Sequence, residues 1–226
     1  MASTLRVTLE HGPKGKKVVA VAPDWPGLER GGKTEQAALA VLQSYLPRYA
    51  AVAARAGMAA ELPSLDDVDV DVVERYEGTG STDFWGISFA FSGIDRQPPS
   101  SKDLERSLAL VQACWDVFDD VRERVSAELR KGPRGGGRDR DQIVRHVLGV
   151  EQDWARKVGV RTAGGDDDVV TDPQGLAAYR DAYCLAIRTA RAEGRTARNW
   201  PLPYLVRHTA YHTMDHAWEM EDKDLT

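Results

Sequence analysis

Four of the five histidines in this 226-residue chain sit where they could act together. His208, His212 and His216 recur at one-turn spacing within Pro203-Tyr-Leu-Val-Arg-His-Thr-Ala-Tyr-His-Thr-Met-Asp-His-Ala-Trp-Glu-Met-Glu-Asp222, and His146 stands alone earlier in the chain. Residues four apart share a face of a helix, so His212 and His216 can turn their imidazoles toward one cation. A helical pair needs a further arm from elsewhere. His146 is the remaining histidine at an inward-facing helical position, since His11 lies in an N-terminal strand pattern. Three neutral imidazoles suit zinc, nickel or another borderline divalent ion. Three protein ligands also leave a coordination position open, as in catalytic rather than structural sites. Thr213 stands where the His-Glu-x-x-His protease motif needs its general base, which excludes that motif.

The helix that must carry these residues starts well, because Pro201 and Pro203 have no N–H to leave unpaired in a first turn. Its inward seam reads Leu205, His208, His212, Asp215 and Glu219. Burying such a seam is unfavourable unless every group is paired or coordinates a metal. Asp215 and Glu219 are the candidate catalytic carboxylates, able to orient an imidazole or accept a proton. On spacing alone, a metal centre and a hydrogen-bonded network of the histidines with Asp215, Glu219, Glu221 and Glu151 stand level. Arg145 and Arg207 precede histidines and could meet an anionic substrate, but ordinary surface ion pairs are expected of both.

Three further helices are predicted upstream. Leu104, Leu108, Val111, Trp115, Phe118, Val125 and Leu129 step by three and four, with Arg122 as the one break. A basic glycine-rich loop over 131–138, expected to be mobile, precedes a helix opened by Asp139 or Asp141, with Ile143, His146, Val147, Val150 and Trp154 inward. A Gly- and Asp-rich connection over 158–168 leads to an Asp172-Pro173 helix start. That helix carries Leu176, Tyr179, Tyr183, Ile187 and Ala190, and Gly194 ends it. Four amphipathic helices in a row after Pro98-Pro99 predict an antiparallel four-helix bundle over 101–226.

Residues 1–98 have a different period. Leu5, Val7, Leu9 and His11 alternate with polar residues, 12–17 reads as a turn and 18–22 as a second strand. A loop over 23–27 and a Gly31-Gly32 turn follow. Thr34 caps a helix expected to run to about Ala56. Val68, Val70 and Val72 alternate with Asp67, Asp69 and Asp71, a strand whose acidic face is expected to be solvated, because the glycine and closing Glu of a calcium loop are absent. Trp85, Ile87, Phe89 and Phe91 predict another strand. The expected fold class is α+β: a small antiparallel α/β domain over 1–98, then the bundle.

Composition narrows the function classes. The net charge of −5 argues against a dedicated nucleic-acid binder, although residues 1–60 carry 8 Lys+Arg against 4 Asp+Glu. No apolar run is long enough to cross a bilayer and the N-terminus lacks a signal-peptide core, so a cytoplasmic protein without a membrane partner is expected. Cys114 and Cys184 fall in helices, far from any Cys-x-x-Cys spacing, and read as reduced packing residues.

Two stretches resemble known families. Val21-Ala-Pro-Asp-Trp-Pro-Gly-Leu-Glu-Arg-Gly-Gly-Lys-Thr-Glu-Gln-Ala-Ala-Leu-Ala40 is similar to the HicB family, whose small ββ(β)αβ domain contacts a toxin nuclease. The resemblance implies that fold and a protein partner for the N-terminal part. Ile143-Val-Arg-His-Val-Leu-Gly149 and Val206-Arg-His-Thr-Ala-Tyr-His-Thr-Met-Asp-His-Ala-Trp-Glu-Met-Glu-Asp222 resemble the DinB superfamily of metal-dependent four-helix bundles. That resemblance implies His146, His212 and His216 as ligands and tips the balance toward the metal centre. It also implies activation of water or of a low-molecular-weight thiol toward a small-molecule substrate, as in thiol transferases, isomerases or hydrolases. His208 matches a further histidine common one turn earlier. It could assist the site as a hydrogen-bond donor or substrate-facing residue, the preferred role, or replace His216 as a ligand. Ala217-Trp218-Glu219 stands where Arg-Gly-Gln is common. Metal occupancy is expected to fall as pH drops through the histidine range, near 6.5 or below. The alternative function is a non-catalytic, antitoxin-like interaction protein with a structural bundle.

Overall fold

The computed structural model describes residues 3–133, 136–161 and 172–226. The expected loop at 131–138 and connection at 158–168 therefore lie partly outside the described residues. The N-terminal half is built on a sheet of β1 (Ser3–His11), β2 (Val18–Val21), β3 (Glu29–Gly32) and β4 (Val68–Glu77), in the order β3-β2-β1-β4. β1–β2 and β2–β3 are antiparallel, but β4 lies parallel to β1, so the sheet is mixed and not antiparallel as expected. The reason is connectivity: the chain returns to β1's free edge by a long crossover through two helices instead of a hairpin. On β4, Asp69 and Asp71 face solvent as their alternation predicts, and Val68, Val70 and Val72 lie partly buried against the core.

Three expectations in this half give way to local chemistry. Gly31-Gly32 is not a turn but the end of β3, paired with Val19 and Val18. A Cβ on Gly31 would lie 2.5 Å from the Gly86 carbonyl oxygen, and one on Gly32 would lie 2.4 Å from the Ala38 nitrogen. The glycines thus mark close backbone approach within a strand. The helix from Thr34 breaks into α1 (Glu35–Ser44) and α2 (Leu46–Arg55), because Pro47 has no N–H to continue the ladder. Residues 85–91 form no strand. Thr79 instead nucleates α3 (Gly80–Trp85) with a capping box, and Gly86 ends it at φ 72°. The backbone N–H groups of Phe89 and Ala90 are then taken by the buried Glu10 carboxylate, which also accepts from Thr82 and Ser88. Amides committed to a side chain cannot join a ladder. We expect Gly31→Ala to destabilise by roughly 1–3 kcal/mol through that overlap. Gly80→Ala, with nothing within 4 Å, is the control, and urea unfolding of the pair measures the difference.

Four long helices form among the described residues: α4 (Ser101–Arg124), α5 (Arg140–Ala155), α6 (Pro173–Ala192) and α7 (Leu202–Lys223). α4 stops short of its predicted extent, with Val125 in extended backbone at its C-cap and Leu129 beyond it, though both side chains stay buried. Ser100, Asp139 and Asp172 sit at the three upstream N-caps. α4 and α5 both pack on α7. α6 joins through Tyr183 and Thr209, whose hydroxyls are 3.1 Å apart, and through the Arg188–Glu105 ion pair with α4. Cys114 and Cys184 are buried free thiols. The apolar core continues across Pro98-Pro99, since residues of the sheet, α1, α2 and all four long helices belong to one buried cluster. The 22–28 loop makes the join: Tyr49 donates to the Pro26 carbonyl at 2.6 Å, and Gly27 (φ 100°) lies against Cys114 and Met214.

Candidate metal centre

α7 places His212 and His216 one turn apart, and α5 brings His146 to them. Their ring centroids lie 5.0 Å (His146–His212), 4.9 Å (His146–His216) and 4.6 Å (His212–His216) apart. One nitrogen from each falls within 4.8 Å of the other two. The His146 and His212 Nε2 atoms are 3.3 Å apart. Two nitrogens each about 2.0–2.1 Å from one tetrahedral ion would be separated by about that distance. Three imidazole nitrogens at this spacing are a donor set of the kind a borderline divalent ion takes.

Burial keeps the His146 and His212 imidazoles neutral. It lowers His146 to about 4, reinforced by His216, and lowers His212 to about 2, reinforced by His216 and His146. Arg138 adds positive charge that acts on both. Proton competition at these two nitrogens thus begins well below the 6.5 expected of free histidine. Glu219 accepts a 2.6 Å hydrogen bond at His216 Nδ1, which fixes that ring and leaves Nε2 for the site. The His216 bond, with help from Lys223, lowers Glu219 to about 2 despite burial. Glu219 therefore acts by holding His216.

The other seam residues diverge. Asp215 turns from the triad to accept from Arg30 Nη1 at 3.0 Å. His208 is buried, and its Nδ1 has no hydrogen-bond partner among the described residues. It packs among Trp154, Tyr204, Phe89 and Trp200 at 4.8, 5.0, 5.6 and 5.8 Å. Trp154 is also 5.3 Å from His212, so His208 and His212 pack against the same indole. Glu151 accepts from Trp115 instead of a histidine. Arg207 is no surface residue. Its side chain is 5% exposed, and it pairs with Glu29 at 2.9 Å and with Asp95 through two 2.8 Å bonds. Burial pushes Glu29 up to about 7 against the pull of Arg207, whereas Arg207 and Ser92 overcome burial to hold Asp95 below its ordinary range. Sequence reading misses Glu29, Asp95, Trp200 and Arg138, because no spacing or periodicity links them to the histidines.

The buried histidines predict a pH effect in chelator-treated protein. Folded His208, lowered by burial to about 3, stays neutral where an unfolded histidine takes a proton, below about 6.5. The unfolded chain then binds the extra proton, and this contribution to stability is lost as pH falls from about 6.5 toward 3. Glu29 and Glu151, raised by burial to about 7, act with opposite sign as pH falls, so the informative quantity is a difference. His208→Phe is expected to gain stability over wild type by roughly 1 kcal/mol per pH unit below 6.5. Thermal unfolding of both proteins from pH 7 to 4.5 measures it, and parallel curves would refute it.

Comparisons of the chain with protein-family models, with curated proteins and with solved structures found no match.

Proposed function

We propose that this chain is a metal-dependent enzyme acting on a small molecule at His146, His212 and His216, with a DinB-like four-helix bundle carrying the site and a HicB-like unit packed beside it. The observation that carries the reading is the convergence of three imidazoles from two helices within 4.8 Å. When bound, a divalent ion such as zinc or nickel supplies Lewis acidity that makes water or a thiol nucleophilic at neutral pH. The chain's own residues supply the rest. Glu219, anchored by Lys223, holds the His216 ring in one orientation. Arg138 contributes positive charge toward an anionic thiol or substrate. Trp154, packed against His208 and His212, excludes water from the inner side of the site.

The histidine centre and the sheet favour an enzyme with an attached recognition unit over a purely structural bundle, since three clustered imidazoles, two of them lowered by burial, are unfavourable to assemble for packing alone. None of the described helices is long and apolar enough to cross a membrane. The test joins metal analysis to an assay of thiol transfer onto small electrophiles. Turnover should require both metal and a small thiol, and should stop on chelation. Metal binding with a rate independent of thiol would keep the centre and remove the transferase assignment.

A further inference from the structure

A cleft of about 410 Å³ opens on a different flank of α7, lined by Tyr211 and Asp215 of that helix and by the end of β3. Its wall carries three cationic side chains, Lys17, Arg30 and Lys33, against a single carboxylate, Asp215. Asp215 is already engaged by Arg30 at 3.0 Å, so neither lysine meets a free carboxylate inside the cleft. The Arg30 side chain is 8% exposed and lies over the Tyr45 and Trp218 rings at 3.8 and 4.3 Å. Its Nε and Nη2 have no hydrogen-bond partner among the described residues. Lys17 is positioned by a 2.8 Å bond to the Phe84 carbonyl, while Lys33 is exposed. On the rim, the Trp85 indole is 63% exposed, an unusual position for a large aromatic side chain.

The geometry points to a binding site for a small aromatic phosphate, separate from the histidine centre. Lysine ammonium groups act as point charges that suit a phosphate's distributed charge. The exposed indole offers a planar ring a stacking face. One stacking face in a bounded cleft suits a single nucleotide-sized molecule and not a polymer.

Calorimetric titration of the full, chelator-treated chain with adenosine monophosphate, inorganic phosphate and adenosine tests this. The monophosphate should bind more tightly than either fragment. Lys33→Glu and Trp85→Ala, both at exposed positions, should each weaken it by roughly tenfold or more. Inorganic phosphate should lose affinity in Lys33→Glu but not in Trp85→Ala, and His212→Ala should bind as wild type. No binding of the monophosphate at millimolar concentration would overturn the assignment. So would unchanged affinity in both cleft variants, or a loss in His212→Ala, which would put the ligand at the histidines.

Discussion

The wild-type chain is expected to bind about one divalent ion per molecule, and alanine at His212 or His216 to abolish that binding. The two imidazoles share one face of α7 with ring centroids 4.6 Å apart, and His146 closes the third side, so either loss leaves two donors. His146→Ala should behave likewise. His208→Ala should keep its metal, because that ring is not among the three converging donors and packs in an aromatic cluster. Glu219→Gln is the graded case: the ligand stays, its orienting carboxylate goes, and affinity should fall about 10–100-fold. Elemental analysis of the purified variants, with competition against a chelator for Glu219→Gln, reads all five. Full occupancy in both His212→Ala and His216→Ala would leave a hydrogen-bonded histidine network as the explanation of the seam.

Arg207→Met is expected to be the most destabilising of the substitutions considered, at about 3–5 kcal/mol. The loss should lower the melting temperature by on the order of 10 °C for a chain of this size. Arg207 is the shared cationic partner of Glu29 and Asp95, which are 1% and 4% exposed in their side chains. Glu10 is also close enough to raise Glu29. Removing the guanidinium leaves these carboxyls buried together, and they must take up protons to stay inside. Glu29→Gln should do much less damage, since that carboxyl is already near half-protonation at neutral pH. Chemical denaturation of the two variants decides the matter. A loss under about 1 kcal/mol in Arg207→Met would mean that the pair behaves as a solvated surface bridge.

Several features were legible in the sequence because their causes are local. The four long helices follow from apolar spacing, and two of them from Asp139 and Asp172 at their starts. The His212–His216 pair follows from helical pitch, and the acidic outer face of β4 from strand alternation. His146 was located by elimination and by resemblance, since nothing in its own neighbourhood specifies a partner 66 residues away.

Where the reading failed, a distant group had overruled a local pattern. The alternating stretch from Trp85 to Phe91 looks like a strand, but Glu10 of β1 captures its amides. The Gly31-Gly32 pair looks like a turn, yet its glycines serve a backbone contact with Gly86 and Ala38. Asp215 and Glu219 look equivalent on one seam, but Arg30 draws the first away and His216 holds the second. Periodicity records which face a residue takes, and caps record where a helix starts. Which buried charge meets which, and whether an amide joins a ladder or a carboxylate, depends on the groups that packing brings into reach, and that only the tertiary structure decided.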